Sequence, residues 1–157
     1  MTNIFDKKFI HSCFILGTGK TYASAFAMRE LGVQRVLFLV HRNQIAKQAQ
    51  KSFRKVFSGQ VSMGLVTGKY QEYDKEFIFA TIQTLSKEEN LHRYEKNTFD
   101  AIVIDEAHHS AANSYKKVLD YFEPKLWLGM TATPDKRDDN LEGRNIYEIF
   151  NHQIAYE

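Results

Sequence analysis

Short runs of uninterrupted apolar residues recur along this chain, and stretches with helical spacing separate them. Arg35–Val40 (RVLFLV), Phe77–Thr81 (FIFAT), Ala101–Ile104 (AIVI) and Leu126–Met130 (LWLGM) are the clearest; Phe9–Leu16 and Val61–Val66 are weaker. A strand with one wet face alternates apolar and polar residues. A strand without that alternation is buried on both faces, as in a parallel sheet. The intervening segments supply the cover. Thr21–Leu31 is rich in helix formers, and Ala111–Phe122 is helical and stops before Pro124. In Asn43–Val56, Ile45, Ala49, Phe53 and Val56 fall on one helical face. The alternation predicts an α/β fold, a parallel sheet with helices on both faces. The chain has 157 residues, 43% of them hydrophobic, which suits a single packed domain over residues 1–157.

Composition narrows the function classes. A net charge of +2 is too small to argue for nucleic acid by itself, so the positions of the bases must carry that case. One cysteine, Cys13, excludes an internal disulfide and fits a reducing compartment. The apolar runs are too short to span a bilayer, and the N-terminal segment has no small-residue cleavage site. A cytoplasmic protein with no membrane partner is expected. No internal repeat or low-complexity tract is visible. Asp135–Arg144 (DKRDDNLEGR) reads as a mobile surface loop.

In open parallel sheets, ligands bind beyond the carboxyl ends of the strands. Every polar cluster of chemical interest sits at such an end: Gly17–Thr21, His41-Arg42, Thr81–Gln83, Asp105–His109 and Thr131–Pro134. Gly17-Thr18-Gly19-Lys20-Thr21 joins a strand to a helix. Backbone N–H groups in such a turn point at a phosphate, and the helix N-terminus adds partial positive charge. Lys20 would reach the outer phosphates and the Thr21 hydroxyl would bind Mg²⁺. A plain glycine turn with a solvated lysine is the simpler alternative. Asp105 and Glu106 close the strand AIVI; one can hold Mg²⁺ and the other can polarise an attacking water. The simpler alternative there is an acidic strand end capping the next helix. Having both clusters in one chain favours the catalytic reading. Adjacent His108 and His109 make a poor metal site, since neighbouring residues rarely point at one ion.

Taken in order, GTGKT, VHR, ATIQTL, DEAHH and TATP resemble the first RecA-like domain of a superfamily 2 helicase. The nearest likeness is to the DEAD/DEAH-box proteins grouped with type III restriction subunits and UvrB-like helicases. It runs from about Phe9 to the end of the chain. The resemblance implies a RecA-like P-loop NTPase domain that uses ATP and Mg²⁺. Gly17, Thr18, Gly19, Lys20 and Thr21 match the phosphate loop, with Thr21 and Asp105 as metal residues. Lys20, Asp105 and Glu106 match the catalytic set. His108, Thr131 and Thr133 match the residues that couple hydrolysis to strand movement. His41, Arg42, Thr81 and Gln83 match the motifs that touch the backbone of bound DNA or RNA.

A basic run adds to this. Arg42, Lys47, Lys51, Arg54 and Lys55 lie between His41 and Lys55 with no acidic residue among them. A solvated helix face is the simpler account of the helix body. Arg42, at a strand end, is the better phosphate contact. Aromatic residues fall mostly in apolar runs and read as core rather than as stacking platforms.

The sequence departs from the family pattern in three places. Phe14 stands where the strict phosphate-loop pattern has glycine, and Ile15-Leu16 stand where the family has small or hydroxyl residues. Backbone groups do most of the cradling, so a derived loop is expected. No glutamine precedes Gln34, so the family's adenine-reading residue has no counterpart upstream. The family's second RecA-like domain is absent from these residues, and it supplies arginines worth about 10³–10⁵ in rate in related systems. The chain is therefore expected to be the ATP-binding part of a longer helicase or translocase, near-inactive alone. The rivals are a non-catalytic binding module and the motor part of a restriction enzyme subunit.

Overall fold

The computed structural model describes residues 8–13, 19–105 and 112–131. In chain order the elements are β1 (Lys8–Cys13), α1 (Gly19–Leu31), β2 (Val36–Val40), α2 (Asn43–Phe57) and β3 (Met63–Val66). They continue with β4 (Phe77–Thr81), α3 (Ile82–Leu85), α4 (Glu88–Leu91), β5 (Ala101–Asp105), α5 (Ala112–Tyr121) and β6 (Leu126–Thr131). The strands form one 6-stranded sheet in the order β1-β6-β5-β2-β4-β3. All the strand pairs within it are parallel.

Each central strand divides its side chains between two cores, because successive residues point to opposite faces. Leu37, Leu39, Ile78, Ala80, Ile102 and Ile104 face one way, against Tyr115, Val118 and Phe122. Val36, Phe38, Val40, Phe77, Phe79 and Val103 face the other, against Ala25 and Met28 of α1 and Ala46, Ala49 and Phe53 of α2. Both faces are covered, so the continuous apolar runs have no wet side. Phe53 anchors the second core: its ring lies 5.5 Å from Phe38, 5.2 Å from Phe79 and 6.1 Å from Phe77, all edge-on. Edge-to-face packing of this kind adds to simple burial.

The sequence-based boundaries fall close to the observed ones. The expected strand Phe77–Thr81 matches β4. The expected helix Asn43–Val56 runs one residue further, and ends where Ser58 turns left-handed (φ 52°) and its N–H donates to the Arg54 carbonyl at 2.9 Å. The helix α1 begins at Gly19, two residues before the expected start at Thr21. The short helices α3 and α4 were not expected. With four residues each they are too brief to show a periodicity. The Phe14–Leu16 end of the first expected strand and the charged stretch Asp135–Arg144 lie outside the described residues.

A carboxylate fixes the amino-terminal ends of the two central strands. Asp100 Oδ2 accepts from the backbone N–H groups of Gln34 (2.9 Å) and Arg35 (3.1 Å), which ties the entry to β2 against the entry to β5. A tyrosine ladder closes the other core from outside. The Tyr94 hydroxyl donates to the Tyr73 carbonyl at 2.9 Å, and the Tyr121 hydroxyl donates to the Tyr94 carbonyl. Burial, with Tyr73 beside it, pushes the Tyr94 phenol well above its usual range, so it stays a neutral donor.

Candidate nucleotide and nucleic-acid sites

Lys20 and Asp105 are 85 residues apart in sequence, and the fold brings them into contact. Lys20 lies in the first turn of α1, Asp105 at the carboxyl end of β5. Lys20 Nζ is 3.0 Å from Asp105 Oδ1, with side-chain exposures of only 8% and 7%. Burying an ion pair at that depth costs several kcal/mol per charge before the attraction offsets it. A domain with no use for the pair would gain from an apolar replacement. The strand order explains the meeting. Asp105 lies beside Met130, and Thr131 lies beside Cys13, so the ends of β5, β6 and β1 form one rim. The helix α1 starts at that rim.

These donors suit a magnesium nucleotide. An ammonium can take the outer phosphates, and a carboxylate at a strand end can hold the metal through water. The site is also built at a helix N-terminus, where a phosphate is favoured. Thr21 is half-buried in the same turn, next to Ser24, whose hydroxyl donates to the Thr21 carbonyl at 2.7 Å. Gly17, Thr18, Glu106, His108 and Thr133 lie outside the described residues. The backbone of Thr131 ends β6 beside Cys13, one residue after the Met130 that lies beside Asp105.

The residues expected at nucleic acid gather at the neighbouring strand ends. Val40 of β2 pairs with Thr81 of β4, so His41 and Arg42 follow directly beside Ile82 and Gln83. Gln83 Nε2 donates to the His41 carbonyl at 3.2 Å and joins α3 to the turn between β2 and α2. Arg42 is exposed at the start of α2, where its carbonyl accepts from Ile45 and Ala46, both at 3.1 Å. Thr81 is buried and its hydroxyl donates to Thr84 Oγ1 at 3.0 Å, while Gln83 is exposed.

Sequence reasoning missed the next strand end. Thr67 and Gly68 follow β3 and line a polar cavity of about 270 Å³ with Tyr73, Thr84, Asn90 and Arg93 among its walls. Asn90 organises it: its Oδ1 accepts from the Tyr73 hydroxyl (2.8 Å) and its Nδ2 donates to the Thr84 carbonyl (2.7 Å). The Arg93 guanidinium stacks 4.1 Å from the Tyr73 ring centroid. Thr67-Gly68 ends the weak apolar run Val61–Val66, which was the available signal.

Fold and rim together define a RecA-like domain of the helicase type. Solved structures share the architecture. One is described as a hypothetical ATP-dependent RNA helicase from Sulfolobus tokodaii (TM-score 0.77, 19% identity, 95% of this chain and 47% of that chain). Another is Saccharomyces cerevisiae Dbp5 bound to RNA and ADP BeF3 (TM-score 0.75, 16% identity, 96% of this chain and 41% of that chain). At these identities the likeness establishes the fold.

Sequence establishes the family. Residues 5–136 match the model for the type III restriction enzyme res subunit, and the chain belongs to that family. It is 40% identical over 125 residues to a candidate ATP-dependent helicase, IRC3, of Saccharomyces cerevisiae, covering 74% of this chain and 18% of the relative. It is 32% identical over 130 residues to the type I restriction enzyme EcoAI endonuclease subunit of Escherichia coli, covering 75% of this chain and 16% of the relative. The chain thus spans less than a fifth of the length of these relatives. Among the described residues, no helix is long and apolar enough to cross a membrane.

Proposed function

We propose that this chain is the ATP-binding part of a superfamily 2 DNA motor, either a helicase or the translocating part of a restriction enzyme. The buried contact between Lys20 and Asp105 carries this reading: a lysine on a helix N-terminus and a carboxylate on a strand end, 3.0 Å apart. The restriction endonuclease subunit among its relatives favours DNA over RNA.

Magnesium-bound ATP supplies the phosphoanhydride to be cleaved. Lys20 would take the outer phosphates, and Asp105 and the Thr21 hydroxyl would hold the magnesium that neutralises their charge. Gly17–Gly19 give backbone N–H groups to the phosphates. Glu106, next to Asp105, accepts the proton of the attacking water. His108, Thr131 and Thr133 link that rim to the strand ends where His41, Arg42, Thr81 and Gln83 hold one DNA strand. A second RecA-like domain completes the site and supplies the arginines for turnover.

Titration with a fluorescent ATP analogue and Mg²⁺ tests the site. The wild-type chain and Glu106→Gln are expected to bind saturably, and Lys20→Ala to lose binding. In the complete enzyme, Glu106→Gln is expected to keep nucleotide binding and lose turnover. Equal binding by the wild type and Lys20→Ala would refute the assignment of Lys20, and normal turnover in Glu106→Gln would remove Glu106 from the mechanism.

A further inference from the structure

We infer that the outer face of α2 is a second DNA-contact surface, a cationic ridge that takes the phosphate backbone of a duplex adjoining the single strand. This extends the DNA-motor reading and rests on it. The segment from Leu31 to Gln71 contains no aspartate or glutamate, yet it carries Arg35, Arg42, Lys47, Lys51, Arg54, Lys55 and Lys69. Four of these, Lys47, Lys51, Arg54 and Lys55, stand exposed on α2 while Ala46, Ala49, Phe53 and Val56 of the same helix are buried.

Lys47, Gln48, Gln50, Lys51 and Arg54 line a groove of about 440 Å³, so neutral amides alone fill the spaces between the cations. Among the described residues, none of the four ridge cations is in an ion pair. The exposed face of α5 is built differently: Lys116 pairs with Asp120 at 3.1 Å, and Lys117 lies 3.9 Å from Glu88. That is how a merely solvated helix face balances its charge.

Position and reach also fit. The helix α2 follows directly on Arg42, on the proposed single-strand track, and runs back along the flank of the domain over β4 and the edge strand β3. Lys47 Nζ lies 5.3 Å from the Tyr70 ring centroid, which holds the loop carrying Lys69 against the ridge. At 1.5 Å per residue, Lys47 to Lys55 covers about 12 Å, or about three phosphates along one duplex strand. Among the described residues, the ring in contact with a ridge cation, Tyr70, faces Lys47 and so offers no platform for unstacked bases. A duplex backbone matches the face better than a single strand.

The test measures binding to a DNA duplex with a single-stranded tail, and to a single strand alone, by fluorescence anisotropy across a salt series. The wild type is compared with the triple variant Lys47→Gln, Lys51→Gln, Arg54→Gln. Glutamine favours helix and the sites are exposed, and circular dichroism verifies the fold. The slope of log affinity against log salt should fall by about 2–3 on the tailed duplex, from three lost contacts, and stay unchanged on the single strand. An unchanged slope on the tailed duplex would overturn the proposal. An equal loss on both DNAs would overturn it too, by assigning the ridge to the single-strand track. Failure of the wild type to bind either DNA would remove the DNA-motor reading along with it.

Discussion

Replacing Lys20 with methionine removes the ammonium from a carboxylate that is almost fully buried. The side chain of Asp105 is 7% exposed, and Lys20 Nζ lies 3.0 Å from it. Breaking a buried pair by taking away one partner typically costs about 3–5 kcal/mol, because the remaining charge keeps its desolvation penalty. In a domain of this size about 1 kcal/mol shifts the melting temperature by about 2–4 °C, so a fall of roughly 10 °C is expected. Asp105→Asn alone should also destabilise, by taking the carboxylate charge away from the buried ammonium 3.0 Å from it. The double variant Lys20→Met, Asp105→Asn removes both charges and should be more stable than the two single losses predict. Urea denaturation of the four proteins forms a double-mutant cycle, and the coupling energy should exceed about 1 kcal/mol. Losses that add to within about 0.3–0.5 kcal/mol would refute the buried-pair argument. So would a Lys20→Met variant as stable as the wild type.

Three further outcomes follow from packing and hydrogen bonding. Phe53→Ala empties a ring cluster shared with Phe38, Phe77 and Phe79 and should cost about 3–5 kcal/mol, read by calorimetry. Gly64→Ala should destabilise by about 1–3 kcal/mol in urea, because a Cβ there would stand 2.6 Å from the Glu72 carbonyl oxygen and 2.7 Å from Lys75 Cγ. Asn90→Ala takes the acceptor from the Tyr73 hydroxyl and leaves the Thr84 carbonyl only its 3.4 Å contact with the Lys87 N–H, and should cost about 1–3 kcal/mol; a melt unchanged from wild type would refute it.

The sheet was legible because its strands are buried on both faces. RVLFLV, FIFAT, AIVI and LWLGM have no polar alternation, and only a covered parallel sheet accommodates that. The helix α2 was legible because Ala49, Phe53 and Val56 keep a 3.6-residue beat, as their burial bears out. The four-residue α3 and α4 were not, since one turn carries no period and their formation depends on packing under the tyrosine ladder. The strand order was not legible either. Composition and spacing say which segments are strands but do not say that β6 inserts between β1 and β5. The contact of Lys20 with Asp105 follows from that insertion, and motif order only hinted at it. Thr67-Gly68 and its cavity went unread because the preceding run is short and holds Ser62 and Gly64.

Asp105 ends β5 and His41 follows directly on β2, and these adjacent strands pair along their length from Val36 with Ala101 to Leu39 with Ile104. Neighbouring strands are only about 4.8 Å apart. The two chemical ends of the domain thus stand on one stiff plate and share its hydrogen-bonded ladder. Gln83 bolts the next strand end to the same loop through the His41 carbonyl. A displacement of β5 at Asp105 is therefore shared by β2 through paired backbone, and reaches the residue before His41 without crossing a loop.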